Sequence, residues 1–460
     1  MRQYLEDLVR GSAGYLELRY HKRSSTAFVA QKGRVDQASR STVSGIGVRA
    51  LVDGAWGFAS TPDTEKSSIE RAIDRARRAA GFLARTTGAN ARLAGTDLAR
   101  GDFTGAGFAE LAGMDAGDKL GQLTGFEKEL SGASGRITNA RCQYKELLEE
   151  KVVVTSDGAS ASMQMALPEF SLSAIAEDKG EQISAYQSAG VAGNWQCLFQ
   201  HPTLEGMVEK TAGLAVDLLR AGYASGGRKT VILAPSVVGL LCHEAVGHTV
   251  EADFVKAGSV AKGRIGTRVA SDLVNLHDTG TENIAGWAVG NLPFDDEGVP
   301  TQNTTIIEKG ILKSYLHNRE TAADFGTTPT GNSRAWLFND EPLIRMRNTY
   351  MAPGEHKLED MIAGVDDGYL VEGAGGGQAD ANGEFMFGCS HIYEIKNGRK
   401  GELLREATFS GIAFDVLQTV DAVSEQFRWD LGSGYCGKGQ PAKVDAGGPW
   451  VRCQVNVGGR

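Results

Sequence analysis

His243-Glu244-Ala245-Val246-Gly247-His248 is the stretch on which the reading of the C-terminal half turns. It follows a short strand-like run, Thr230 to Leu233, and a stop at Pro235-Ser236, where Ser236 is placed to cap a helix running through Val237, Leu240 and Leu241 into the first histidine. Two imidazoles flanking a carboxylate on a helix can hold a divalent metal while the carboxylate activates a water, as in the HExxH motif. Here the spacing is one residue longer. On a regular helix residues four apart differ by ~40° of rotation and residues five apart by ~140°, so the two rings would diverge. A π-bulge pairs residues five apart and would bring them back together. The spacing therefore predicts a helix distortion between His243 and His248, with Gly247 as the residue that lets the turn deform at low steric cost. On the bare pattern, two ordinary hydrogen-bonding histidines are an equal reading, and a third ligand would decide between them.

Upstream, the small, flexible segment Ala221 to Gly227 separates a finished helix from a new strand, and divides the chain into residues 1–224 and 225–460. In the first part, Leu16, Leu18 and Tyr20 alternate with Glu17 and Arg19, and a second strand covers Thr26 to Gln31. Val43 to Val52, the Asp53-Gly54 turn and Ala55 to Ala59 read as a hairpin. A helix follows, with Ser67 and Glu70 in a capping-box pattern and Ile69, Ala72, Ile73, Ala76 and Ala80 on one face. Residues 86–117 read as a loop and Lys119 to Leu130 as a short helix. Strands are expected at Ile137 to Leu147 and Lys151 to Ser156, then a hairpin of Phe170 to Ala176 with Gln182 to Ala189 around Asp178-Lys179-Gly180. Thr203 to Arg220 is an amphipathic helix. Beyond the histidine motif come short β segments, at Thr304 to Ile307, Leu312 to Leu316, Glu384 to Phe387 and His391 to Ile395. The fold class is α+β with two domains: an N-terminal mixed α/β domain of antiparallel strands and helices, and a β-rich C-terminal domain carrying the HExxxH helix.

Composition narrows the function classes. With 41% hydrophobic and 23% charged residues the 460-residue chain is globular, and the net charge of −9 repels phosphate backbones, so no nucleic acid partner is expected. The two short basic clusters, His21-Lys22-Arg23 and Arg75 to Arg78, form no patch, and the second reads as a solvated helix face. Six cysteines without any CxxC indicate neither a disulfide framework nor a zinc ribbon, and favour a reducing compartment. The start, MRQYLEDLVRG, has no apolar core of a secretory signal, and Thr230 to Cys242 is too short to span a bilayer. The expected setting is cytoplasmic, with no membrane partner. Gly432 to Lys438 fits GxxxxGK, but Gly439 stands where a Ser or Thr would hold Mg²⁺, and Ala50 stands where Gly45-Ile-Gly47 would need its third glycine. Neither nucleotide motif is complete.

HEAVGHTVEADF at 243–254 strongly resembles the HExxxH segment of the TldD/PmbA metalloproteases, and the likeness continues through Asp295 to Pro300, Thr328 to Asn332, Arg347 to Gly354, Gly375 to Gln378 and Tyr435 to Lys438. GIGVRALVDGAWGFAS at 45–60 resembles the family's N-terminal half. The resemblance implies a zinc-dependent peptidase with one Zn²⁺ per active subunit, held by His243, His248 and Cys436, with Glu244 as the catalytic base. It further implies a dimer, either a homodimer or a pair with an inactive paralogue of TldE/PmbA type, enclosing a cavity in which unfolded or extended peptide is cut. All three ligands and the glutamate are present, as in the active TldD branch; Thr249-Val250 departs from the glycine that often follows the second histidine and should alter packing beside it. The alternative is a non-catalytic, metal-containing adaptor or regulatory subunit of such a complex. A thiolate ligand donates more charge than a third imidazole, so slow turnover is expected. Asp253 reads equally as a carboxylate orienting a ligand histidine or as a solvated charge. Cys242, turned ~100° from its neighbour, reads as a small buried residue. Cys142, Cys197, Cys389 and Cys453 lack metal spacing; His21, His201, His277, His317, His356 and His391 read as structural or surface residues.

Overall fold

Alternation along the first long strand sets the architecture. In a computed structural model describing residues 1–200, 204–430 and 432–459, β1 (Tyr15–Gln31) turns Leu16, Leu18, Phe28 and Ala30 to one face and Glu17, Arg19, His21 and Arg23 to the other. Both sets are buried. The apolar set packs under helices, while the charged set meets the C-terminal half of the chain.

β1 belongs to a seven-stranded sheet with β2 (Arg34–Val52), β3 (Ala55–Thr61), β4 (Arg100–Thr104), β5 (Ile137–Thr155), β6 (Ser160–Asp178) and β7 (Glu181–Gly190). The order is β3-β2-β1-β5-β6-β4, with β7 also paired to β6. The Asp53-Gly54 turn forms as expected, with φ of 46° and 80°, the left-handed pair that a tight hairpin requires. Helix Lys66–Thr87 covers Leu16, Ile46 and Val48, while helices Ala116–Gly132 and Leu204–Leu218 cover Phe28, Tyr144 and Leu172.

Several boundaries differ from expectation, each for a physical reason. β1 and β5 are continuous, because His21 to Ser25 pair with Leu147 to Lys151 across the sheet. Helix Lys66–Thr87 starts before Ser67, so that hydroxyl lies inside the first turn and makes no cap; the Glu65 carbonyl accepts from Ser68 and Ile69 instead. The stretch expected as a loop contains β4, which pairs in parallel with Ser160 to Gln164, a contact invisible to local pattern. Helix Pro235–Leu240 is capped at Ala234 with proline in its first turn, so Ser236 is not its cap. His201 and Thr203 lie outside the described residues.

The second sheet has eleven strands. Asp445–Gly458 and Gly227–Leu233 run through its middle, flanked by Asn348–Met351 on one side and by Asp367–Ala379, Glu384–Lys396 and Arg399–Ile412 on the other. Strands Glu384 to Phe387 and His391 to Ile395 merge into one, and Ile311–Leu312 ends before Leu316. The α+β class holds. Among the described residues, no helix is long and apolar enough to cross a membrane.

On the charged face of the first sheet lies a layer of buried ion pairs. Lys151 binds Asp296 at 2.9 Å, Arg49 binds Glu297 at 3.1 Å, Arg23 pairs with Glu149, and the Arg23 guanidinium sits 3.4 Å from the Trp336 ring centroid. His21 and Arg23 are thus buried, not surface, basic residues. Through these contacts the first sheet braces the 295–340 segment and, beyond it, the loop carrying Cys436: Trp336 donates its amide to Gln440 at 2.7 Å, and Ser188 meets Ser433 at 2.7 Å.

Candidate metal centre

The central strand Gly227–Leu233 delivers the chain into helix Pro235–Leu240, which passes directly into a π-helix over Leu241–Gly247. The His248 amide donates to the His243 carbonyl, five residues back. This is the distortion that the spacing predicts, and it sets the two rings 5.3 Å apart between centroids. Leu241, Cys242, Ala245 and Val246 turn into the core, so the wider turn is held from behind by apolar packing.

Gly247 serves a different purpose from the one expected. Its φ of −54° and ψ of −51° suit any residue. What demands glycine is space, because a Cβ there would lie 1.9 Å from the Met346 sulfur. Met346 is fully buried and has nowhere to retreat. Gly247→Ala is therefore expected to cost about 1–3 kcal/mol through overpacking and to displace His248. A lowered thermal midpoint together with weakened metal retention would show it, and an alanine variant matching the parent in both would contradict it.

Cys436 arrives from the short strand Tyr435–Gly437, paired with Pro441–Lys443. Its Sγ lies 3.1 Å from Nε2 of His248, and the ligand atoms of His243, His248 and Cys436 all fall within 4.8 Å of one another. Among the described residues, neither ring nitrogen of buried His243 has a hydrogen-bond partner. A buried imidazole without partners is costly unless something else binds it. One soft sulfur and two imidazole nitrogens converging on one point form a donor set that a divalent cation fits.

Without a metal, the electrostatics pair a thiolate with an imidazolium whose proton a bound cation would displace. Burial pushes the Cys436 thiol up, but the adjoining His243 and the hydrogen bond with His248 outweigh it and hold the thiol at about 4. Burial opposes a charge on His248, yet its hydrogen bonds with Cys436 and Glu251 raise it to about 10. Burial pushes the thiols of Cys242, Cys389 and Cys453 up to about 12, as expected of packing residues. The Glu244 carboxylate is partly exposed, with Oε2 3.7 Å from Nε2 of His248.

The sequence leaves the role of Asp253 open, and the geometry decides it. Asp253 does not touch an imidazole; its carboxylate pairs with Lys438 at 2.7 Å. The residue orienting His248 is Glu251, whose Oε2 accepts from Nδ1 at 3.0 Å and which is completely buried. After the 3₁₀ turn His248–Val250 the backbone leaves the helix at Glu251, and that turn folds the carboxylate back over the ring three residues earlier. Thr249 packs beside the ligand, its hydroxyl donating to the Val246 carbonyl at 2.8 Å. Of the other histidines, His21, His317 and His391 are buried and His277 stacks on Tyr350.

Residues 16–80 match the family description "PmbA/TldA metallopeptidase domain 1", residues 109–219 its central domain and residues 226–459 its C-terminal domain. The chain belongs to the PmbA/TldD metallopeptidase family. A metalloprotease of Methanocaldococcus jannaschii is 31% identical over 446 residues, 96% of each chain. The metalloprotease TldD homolog of Haemophilus influenzae is 29% identical, over 97% of this chain and 93% of its own. A zinc metalloprotease TldD homolog of Saccharolobus solfataricus reaches 37% identity over 246 residues, 53% of this chain and 54% of its own. In fold, TldE from Thermococcus kodakarensis superposes with a TM-score of 0.78 at 18% identity, covering 98% of both chains. This member of the PmbA/TldD family is accordingly a metallopeptidase, and the His243, His248 and Cys436 group lies within its matched C-terminal domain.

Proposed function

We propose that this metallopeptidase is zinc-dependent, with His243, His248 and Cys436 as the metal ligands and Glu244 as the general base, and that it hydrolyses unfolded or extended peptide segments. The observation that carries the reading is the convergence of the three donor atoms within 4.8 Å around a buried His243 that has no other partner among the described residues. A nitrogen–sulfur set favours zinc over the oxygen-seeking cations, and the Saccharolobus relative is called a zinc enzyme. Bound there, Zn²⁺ would act as a Lewis acid toward a water and a peptide carbonyl.

The protein's own groups supply the remainder. Glu244, on the solvent side, accepts a proton from the attacking water and returns it to the leaving amine. Glu251 keeps the proton of His248 on Nδ1, so Nε2 presents its lone pair to the site. In this reading residues 225–460 form the domain that carries the chemistry, and residues 1–224 form a second domain that walls it. The assembly is a cytoplasmic dimer, with a second copy or with an inactive paralogue of TldE type, around a cavity that admits extended but not folded chains. An extended segment would be held by strand pairing along a sheet edge.

Metal analysis of the purified protein beside Cys436→Ala, with digestion of denatured casein in the presence and absence of a chelator, tests the reading. The expected result is near one equivalent of zinc, lost with Cys436, and cleavage abolished by chelator. A parent protein that cuts casein equally well when stripped of metal would overturn it.

A further inference from the structure

Lys438, the residue that completes the false GxxxxGK pattern, follows Cys436 by two positions and reaches across to the segment behind His248. Its ammonium donates to Glu251 Oε2 at 3.1 Å, to Asp253 Oδ1 at 2.8 Å and to the Ile344 carbonyl at 3.1 Å. All three N–H bonds are thereby used, and Nζ lies 4.2 Å from the centroid of the Phe254 ring. The side chain is only 10% exposed.

Three acceptors on two segments, 251–253 and Ile344, suit a compact ammonium better than the flat fork of an arginine. The geometry matters because Glu251 Oε2 is shared: the same oxygen accepts from Nδ1 of His248. Glu251 is fully buried, and besides the imidazole it is meant to orient its countercharges are Lys438, in direct contact, and the Arg345 guanidinium. One ammonium thus ties the strand bearing Cys436 to the carboxylate that aims His248.

We propose that Lys438 is a positioning residue that locks Cys436 and His248 into one preformed ligand set by way of Glu251, an inference that rests on the zinc reading above. A second anchor makes the role separable from folding of the loop. Arg345, also buried, donates to the Cys436 carbonyl at 2.6 Å and to the Gln440 carbonyl at 2.6 Å, so the backbone of this segment is held independently of Lys438.

The test is a cobalt(II) titration of the full chain after chelator treatment, following the near-ultraviolet thiolate-to-cobalt absorption, for the parent, Lys438→Met and Asp253→Asn. Lys438→Met is expected to bind cobalt about 10–100-fold more weakly, as removal of groups behind metal ligands does, while Asp253→Asn stays within about threefold of the parent. Circular dichroism of the chelated proteins checks that the fold is intact, and if Lys438→Met does not fold, Lys438→Gln is titrated with the same criteria. A neutral variant that binds cobalt within about threefold of the parent, with the same absorption, overturns the proposal. A parent protein that binds cobalt without the thiolate absorption would instead refute Cys436 as a ligand.

Discussion

Glu244→Gln is expected to reduce turnover about 10²–10⁴-fold, some 3–5 kcal/mol of barrier, while the protein keeps its full complement of metal. The reasoning is geometric. Glu244 sits one residue past His243 on the π-helix, with its carboxylate 3.7 Å from Nε2 of His248 and partly open to solvent, so water can reach it. Glutamine has the same shape and cannot take up a proton. The three donors that converge beside it are untouched by the change, so metal content should not follow activity. Casein digestion and metal analysis on the same preparation separate the two quantities. A variant within a few-fold of the parent in turnover would remove Glu244 from the chemistry. The adaptor reading, in which peptide is held but not cut, instead predicts a metal-loaded parent that leaves casein intact.

How much of this could be read from the chain varies from residue to residue. The π-helix was legible because five-residue spacing and a 3.6-residue turn conflict arithmetically, and only a wider turn reconciles two rings on one face. The role of Gly247 was not, because it depends on Met346, a residue nearly a hundred positions away whose sulfur occupies the space of a Cβ. Glu251 carried a usable signal, a carboxylate three residues beyond a ligand histidine, but helical periodicity obscured it where the backbone turns extended. Asp253 attracted attention by proximity in sequence and proved to face Lys438. In the N-terminal sheet, polar runs such as His21 to Ser25 looked like breaks between strands. They are strand interior, because their charges are neutralised by partners distant in the chain, Arg23 by Glu149 on the adjacent strand and Lys151 by Asp296 of the other half. Local pattern cannot foresee a buried charge whose partner is more than a hundred residues away.

The same long-range logic governs the second large effect, Arg347→Met, which is expected to destabilise the protein by about 3–5 kcal/mol. Asp278 and Arg347 are completely buried and are joined by Arg347 Nε to Asp278 Oδ2 at 2.9 Å and by the Arg347 amide to Oδ1 at 2.9 Å. Asn332 donates to the same carboxylate at 2.8 Å and Thr349 at 3.2 Å, so two separate segments, at 332 and 347–349, close around one aspartate. Removing the guanidinium leaves a buried carboxylate without its countercharge, which costs far more than the pair itself contributes. That loss is a large share of a typical domain's total stability of about 5–15 kcal/mol. It would also reach the metal centre, since Met346 fills the space over Gly247 and Arg345 holds the Cys436 carbonyl, both on the connection that Arg347 anchors. Urea denaturation in the presence of chelator measures the effect on the fold alone. Asp278→Leu combined with Arg347→Met should recover a substantial part of the loss, because the double change removes both charges. If the single variant unfolds at the parent's midpoint, the buried pair is not what fastens this segment, and the preformed ligand set must owe its rigidity to the apolar packing behind the π-helix instead.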